Sequence, residues 1–229
     1  MPLKSTPSGR LLSGMLSTIN SDLSRSTMMQ WLSESPVTTV NIDKDNRGTI
    51  AQWDVISRNA GIINGIDQWV ERLISLQDSL TQRISDYEKL GEISFSKLQG
   101  FQNTSITINS LLIFIKEFSK HSKLPIQNTW EALSKWAKNL LEYYSLSQDE
   151  MASEHLESHQ KLLTMLEEFT TLDKLDISCT KKAFLEIIED MLNSPAGRHG
   201  ETGSGVFVAP LATAKGMNFD TVYMISNNI

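Results

Sequence analysis

Four residues between positions 43 and 54 have the spacing of oxygen ligands in a calcium-binding loop. Asp43, Asp45, Gly48 and Asp54 occupy the first, third, sixth and twelfth positions of the EF-hand pattern, whose loop wraps oxygen donors around the ion. Arg47, however, stands where another oxygen ligand belongs, and Asp54 replaces the usual bidentate glutamate. We therefore predict a solvated acidic loop here and no calcium site.

Two histidines, His155 and His159, are four residues apart, so they would share one face of a helix, as zinc ligands do. Glu157 lies between them, whereas a zinc-protease helix carries its glutamate directly after the first histidine. The sequence offers no third ligand. We predict two surface histidines and no metal site.

A glycine-rich segment and a single cysteine complete the candidates for chemistry. Residues 197–205 lack the lysine and following hydroxyl residue of a P-loop, and they lead into strand-like sequence, so no helix dipole would stabilise a phosphate. We interpret them as a flexible connector. Cys179 cannot form an internal disulfide and has no activating neighbour in the sequence, which predicts an inert thiol. The sequence thus predicts no catalytic residues.

Composition limits the classes of protein that fit the chain. The 229 residues are 40% hydrophobic and 21% charged, which is typical of a globular protein with a real core. A net charge of -6 argues against a general polyanion binder, so any DNA contact would be local. The chain start lacks a secretory pattern, and no apolar run approaches the roughly 18 residues of a membrane span. We expect a soluble, cytoplasmic protein without membrane contact.

The elements that would position these residues are predominantly helical. Apolar residues recur at helical spacing in eight segments, with Ser24, Thr49 and Ser147 as predicted caps of three of them. The seven-residue repeat within residues 66–87 predicts that this helix packs along a partner. The predicted helices cover approximately residues 8–19, 25–35, 50–60, 66–87, 104–118, 129–144, 147 onward and 180–191.

The pattern changes after residue 195. Residues 206–208 and 219–225 are rich in β-preferring residues and predict two strands joined by a loop. Two apolar strands without further sheet partners would leave backbone groups unpaired, so we expect most of an α/β core to lie outside this sequence. The predicted fold class is mainly α, a helical-bundle subdomain with a short C-terminal β-loop-β piece.

The loop between the two predicted strands carries Lys215 and Gly216, with Phe219 opening the second strand. This arrangement resembles a motif of UvrD/Rep-like superfamily 1 helicases, in which a strand leads into a Thr-x-His-x-x-Lys-Gly-Leu-Glu-Phe loop and a second strand. That loop faces single-stranded DNA and bound nucleotide in the family. The β-loop-β piece would then belong to an incomplete RecA-like α/β domain.

Three departures from the motif are informative. The family's threonine and histidine fall at Pro210 and Ala212, and its ribose-contacting glutamate falls at Asn218. Such erosion is similar to the AddB-type branch, in which a helicase-like body with a degenerate motor is fused to a C-terminal PD-(D/E)XK nuclease. Residues 6–12 and 53–73 resemble the start of the second RecA-like domain and its helical insertion.

The resemblance implies a division of the chain and a role for its loop. Residues 1–35 would begin the second RecA-like domain, 36–196 would form a helical accessory insertion, 197–205 a connector, and 206–229 the return to the RecA-like domain. The DNA- or nucleotide-facing residues would be Thr213, Lys215, Gly216 and Asn218.

The function implied is processing of DNA double-strand-break ends for recombinational repair, as scaffold and single-stranded DNA contact. This fragment would hold no cofactor, whereas its parent would use ATP and Mg²⁺, bind single-stranded DNA or DNA ends, and pair with a helicase-nuclease subunit. A different class stays open, a helical adaptor that binds a partner protein through the stripe of residues 66–87 and binds no nucleic acid.

Overall fold

The computed structural model describes residues 2–38, 49–90, 95–175 and 179–193, which belong to a compact unit, Met1–Pro195. Within these residues the chain forms eight α-helices and no β-strand, so the mainly α fold class is confirmed there. The strands predicted at 206–208 and 219–225 and the connector at 197–205 lie outside the described residues. The helices are α1 (Pro7–Asn20), α2 (Arg25–Glu34), α3 (Ile50–Asn59), α4 (Ile66–Leu90), α5 (Phe95–His121), α6 (Trp130–Tyr144), α7 (Ser153–Glu168) and α8 (Lys181–Asn193), with 3-10 turns at Leu3–Ser5, Gln148–Glu150 and Phe169–Leu175.

Local sequence signals fix the ends of several helices. Ser24 stands at the N-cap position of α2, as predicted, but its side chain bonds no amide of that helix. Thr49 forms a complete capping box with Gln52 at the start of α3, as its position predicts. Gly61 follows the end of α3 with φ +67, the left-handed conformation that glycine adopts most readily. Thr129 and Thr180 accept hydrogen bonds from the third residues of α6 and α8. These boundaries agree with the sequence to within a residue or two.

The corner between α1 and α2 is held by the segment that precedes α4. Asp22 and Leu23 both have φ 54, an unfavourable conformation for non-glycine residues that costs about 1 kcal/mol each. The Gly65 amide donates to the Asp22 carbonyl at 2.7 Å, and the Trp69 indole donates to the Leu23 carbonyl at 2.7 Å. These bonds satisfy the polar groups of the corner and anchor α4 to the N-terminal helices.

One continuous core receives buried side chains from all eight helices. Its centre is aromatic: the rings of Trp31 and Phe118 lie 4.8 Å apart and those of Trp53 and Phe114 lie 5.2 Å apart. The Tyr144 ring is edge-on to Trp31, Phe114 and Phe118. Helices α1 and α2 therefore share their packing with the later helices. The domain boundary predicted at residue 35 stays a prediction.

Helices α4 and α5 form an antiparallel hairpin. The apolar stripe of α4 packs against α5, so the partner that its seven-residue repeat predicts lies in the same chain. Helix α5 begins at Phe95, earlier than the predicted start at residue 104. The extra turns include Gly100, which has no neighbouring atoms where a side chain would stand. They pack on α4 through the Tyr87 and Phe101 rings, which stack with their centres 5.9 Å apart. This pairing outweighs the roughly 1 kcal/mol penalty of a helical glycine.

The predicted capping box at Ser147 is wrong. Residues Gln148–Glu150 form a 3-10 turn, in which the Glu150 amide donates to the Ser147 carbonyl at 3.0 Å, and α7 begins only at Ser153. The Ser147 hydroxyl donates to the Glu150 carboxylate at 2.9 Å, so the two side chains bond each other and cap no backbone amide. No helix in the described part of the chain is long and apolar enough to cross a membrane.

Candidate functional site

The predicted DNA- or nucleotide-facing residues Thr213, Lys215, Gly216 and Asn218 lie outside the described residues. Their role therefore stays a prediction. The calcium-like pattern, the histidine pair and Cys179 fall at least partly within the described residues, where their surroundings can be compared with the chemistry considered for them.

Asp54, the last position of the calcium-like pattern, lies on α3 and is engaged by two arginines. Its carboxylate bonds Arg25 of α2 at 2.5 Å and also bonds Arg58 one turn further along α3. Asp43, Asp45 and Gly48 lie outside the described residues. Across the described ranges, no three His, Cys, Asp or Glu residues are grouped closely enough to hold a metal ion. Asp54 thus serves as an interhelical ion-pair partner.

The prediction of two surface histidines is wrong for His159. Its ring is only 2% exposed, and Nδ1 lies 3.0 Å from the hydroxyl of Ser8, which is itself buried. The reason is that α7 packs on the first turn of α1, which encloses this face of α7. Burial lowers the pKa of His159, and the charge of Glu142 opposes that shift. His155, one turn earlier, is exposed as predicted.

The Ser8–His159 pair has the residue types of a nucleophile and its base, but its placement suits a structural role. A hydroxyl that is 4% exposed cannot meet a substrate without opening of the α1–α7 contact. The hydrogen bond satisfies two polar groups that would otherwise be buried without partners. The pair therefore joins α1 to α7.

Cys179 is buried, in agreement with the predicted inert thiol. Burial raises the pKa of its thiol, and the nearby charge of Asp173 raises it further, so the reactive thiolate is disfavoured. Asp173 also accepts hydrogen bonds from the amides of Trp130 and Glu131, at 2.9 and 2.7 Å, and so caps the start of α6 from a distant segment. The sequence did not indicate this long-range cap.

Two neighbouring cavities open beside α1. A cleft of about 430 Å³ lies between the start of α1, the end of α2 and the segment before α7, and a groove of about 350 Å³ runs between α1, α2 and α8. Both cavities are lined by Arg10, Glu34 and Ser35, so they meet at these residues. We call the second cavity the α1 groove.

The face of α1 that lines the α1 groove is mostly polar, whereas α8 contributes the apolar side chains Leu185, Ile188 and Leu192. Arg10, Ser13, Ser17 and Asn20 follow one another at intervals of three or four residues, which places them on one side of the helix. The core-facing side carries Leu11, Leu12 and Met15, and Leu16 lies at its edge, where it also lines the groove. The three- and four-residue spacing of these polar residues is a signal in the sequence that predicts a polar face on α1.

Trp31 of α2 also lines the α1 groove, and its indole lies directly against α1. A Cβ atom at Gly14 would overlap the ring, so glycine is required there for this close approach. Trp31 is 2% exposed, and its Nε1 donor has no acceptor among the described residues. A buried donor without an acceptor costs about 1 to 3 kcal/mol.

The charges around the α1 groove nearly cancel. Lys4 pairs with Glu189 of α8 at 3.1 Å, and Glu34 accepts a hydrogen bond from Gln30 at 3.1 Å. Arg10 donates to the Ser5 carbonyl at 3.3 Å and forms no ion pair with any carboxylate in the described part of the chain. Its guanidinium is exposed and keeps further donors available.

No protein-family model, curated protein or solved structure matches this chain. A function therefore has to be inferred from the residues themselves.

Proposed function

We propose that this chain is a non-catalytic part of a helicase-nuclease-like protein that processes DNA double-strand-break ends for recombinational repair in the cytoplasm. The observation that carries the proposal is the sequence Lys215-Gly216 followed by Phe219, between two apolar β-preferring segments. The parent protein would supply the ATP and Mg²⁺ chemistry and the partner subunit.

The chemistry of the loop suits a local contact with single-stranded DNA. The ammonium of Lys215 would neutralise one phosphate, and Gly216 would let the backbone approach the strand closely. Thr213 and Asn218 offer a hydroxyl and an amide that can hydrogen-bond phosphate or nucleotide oxygens. Such a contact positions a strand without selecting its sequence.

The helical body supports a scaffold role in this proposal. The segments that resemble the start of the second RecA-like domain and its insertion, residues 6–12 and 53–73, lie mostly in α1, α3 and α4, which contribute to one core. A net charge of -6 disfavours DNA binding spread over the whole surface, so a contact confined to one loop is the arrangement that the composition favours.

Titration of labelled single-stranded DNA against the chain and its Lys215→Ala variant tests the proposal. We expect weak, salt-sensitive binding that the variant weakens several-fold, with the slope of log affinity against log salt falling by about 1. Lys116→Ala, on an exposed position of α5, removes the same charge elsewhere and should leave binding nearly unchanged. Equal binding by the chain and a folded Lys215→Ala variant would contradict the proposal.

The alternative function is a helical adaptor without nucleic-acid binding, which the sequence predicts to use the stripe of residues 66–87. In the structure, that stripe packs against α5. An adaptor would therefore have to bind its partner through another surface of the helical body.

A further inference from the structure

We infer that the adjacent tyrosines Tyr143 and Tyr144 carry an oxidising equivalent from the buried Trp31 to the protein surface, each phenol passing its proton to a base beside it. The oxidant is any one-electron oxidant strong enough to ionise an indole, such as the carbonate radical. This inference concerns protection of the helical body from oxidation and does not depend on the proposed DNA function. Three features carry it: the distances between the rings, a proton acceptor for each phenol, and an indole that keeps its own proton.

The first feature is a short path of oxidisable rings. The rings of Trp31 and Tyr144 have their centres 6.1 Å apart, and those of Tyr144 and Tyr143 have theirs 4.9 Å apart. Indoles and phenols are readily oxidised by one electron, and electrons cross gaps of this size between rings that do not touch. Trp31 is 2% exposed and Tyr144 is 1% exposed, whereas Tyr143 is half-buried. The path therefore leads from the core toward the surface.

The second feature is a proton acceptor for each phenol. A tyrosine that loses an electron also loses its hydroxyl proton, because the oxidised phenol is a very strong acid. The Tyr144 hydroxyl lies 3.1 Å from Nδ1 of His121, to which it donates when that nitrogen is unprotonated. The Tyr143 hydroxyl donates to Oε1 of Glu117 at 2.6 Å. Burial raises the pKa of Tyr144, so its proton leaves only together with the electron, and a positioned base accelerates such a step.

The third feature is the Trp31 indole. Its Nε1 is buried and has no acceptor among the described residues, whereas the Trp69 indole donates to the Leu23 carbonyl at 2.7 Å. An oxidised indole ordinarily loses its N–H proton to an acceptor and then becomes a weaker oxidant. Oxidised Trp31 keeps this proton and stays a radical cation, which favours electron transfer from Tyr144. Trp31 also lines the α1 groove, so an oxidant in that groove lies close to the ring without touching it.

Electrons and protons balance over two steps. In the first step, Tyr144 gives one electron to oxidised Trp31 and its hydroxyl proton to His121, which restores the neutral indole. In the second step, Tyr143 gives one electron to the Tyr144 radical and its proton to Glu117. His121 then returns its proton to the Tyr144 oxygen. A surface reductant such as ascorbate finally gives one electron to the Tyr143 radical, and Glu117 returns the proton.

Flash photolysis of the full chain follows this transfer. An ultraviolet flash at the long-wavelength edge of the spectrum, where only tryptophan absorbs, ejects one electron from an indole, and dissolved oxygen takes up that electron as superoxide. We expect the absorption of the indole radical to decay while that of a tyrosyl radical grows at the same first-order rate. The sequence contains four tyrosines, so Tyr87→Phe combined with Tyr223→Phe leaves only the pair. The growth should persist in this background.

Further variants in the same background assign the steps. Trp31→Phe should remove most of the tyrosyl growth and Tyr144→Phe all of it. Trp69→Phe removes another buried indole and is the matched control, which should leave the growth unchanged. His121→Gln keeps a hydrogen-bonding side chain but removes the base, so the growth should slow about tenfold. Tyr143→Phe should keep the growth but slow reduction by ascorbate several-fold, because the radical then stays on the buried Tyr144.

Three results would overturn the inference. The first is the absence of a tyrosyl signal in the native chain. The second is equal growth in Trp31→Phe, or its loss in the Trp69→Phe control, because another indole would then be the electron acceptor. The third is an unchanged rate in His121→Gln, since the proton of Tyr144 would not move to that histidine.

Discussion

The aromatic centre of the helical body and the tip of the α4–α5 hairpin contain similar side chains in very different surroundings. Phe114 is 1% exposed and its ring contacts Trp31, Trp53, Phe118 and Tyr144, which come from α2, α3, α5 and α6. At the hairpin tip, Phe101 stacks on Tyr87, with Lys97 over the Tyr87 ring at 3.9 Å, and all three residues come from two helices.

This difference shows how the number of participating helices determines what one side chain contributes. A ring enclosed by four helices cannot be removed without leaving a cavity that no neighbour can fill. A ring between two helices borders solvent, so the hairpin can adjust around a smaller residue. We therefore expect the body to set global stability and the hairpin tip to open locally at lower free energy.

Among the changes that test this comparison, Phe114→Ala should lower the free energy of unfolding the most. We expect a loss of about 3 to 5 kcal/mol in the free energy of unfolding, measured by urea titration, because the substitution removes buried area and leaves a cavity. Phe101→Ala is the matched change in the hairpin and should cost no more than about 2 kcal/mol, since that ring is only partly buried. Equal losses in the two variants would break the proposed difference between body and hairpin.

The second-largest expected effect is the pH dependence of the stability of the helical body, which His159 causes. His159 has a pKa below its ordinary 6.5 because burial disfavours the charged ring. The unfolded chain therefore binds a proton at this histidine before the folded chain does, so stability is present above about pH 6.5 and falls as pH decreases toward the folded pKa. The negative charge of Glu142 partly offsets the lowering of the His159 pKa and so narrows the pH range over which stability is lost.

Urea unfolding from about pH 7.5 to about pH 5 checks the direction. We expect His159→Gln to be less stable than the native chain at the higher pH, because the bond to Ser8 is disturbed, but to lose less stability as the pH falls. His155→Gln removes an exposed imidazole from the same helix and should follow the native pH profile. If both variants showed the native slope, burial of a neutral His159 would not be the cause.

The spacing of apolar residues predicted most helices of this fold, whereas it could not predict contacts between distant segments. The apolar spacing of α4 and the cap at Thr49 were readable because they depend on neighbours within a few residues. The Asp173 cap on α6 and the Ser8–His159 bond join residues far apart in the chain, and no local pattern encodes them.

The candidate site shows the same limit. The polar stripe from Arg10 to Asn20 was visible in the sequence, but its value as a groove depends on Trp31 and α8, which only the fold brings beside it. The early start of α5 also needed tertiary information, because Gly100 alone favours a helix end there. Lys215 and its loop remain predictions of the sequence.

The smallest expected effect on stability is at the hairpin tip, and it tests whether the tip opens independently of the helical body. Lys97→Met keeps an unbranched side chain over the Tyr87 ring but removes the ammonium, so it deletes the cation–π attraction and preserves most packing. At an exposed site this attraction contributes about 0.5 kcal/mol, too little to shift global unfolding clearly.

Amide hydrogen exchange can detect this small change, because local opening of the tip should become about twofold more frequent. Exchange in the helices that surround Phe114 should stay unchanged. If Lys97→Met accelerated exchange there as well, the tip and the body would open together, and the hairpin could not be an independently opening unit.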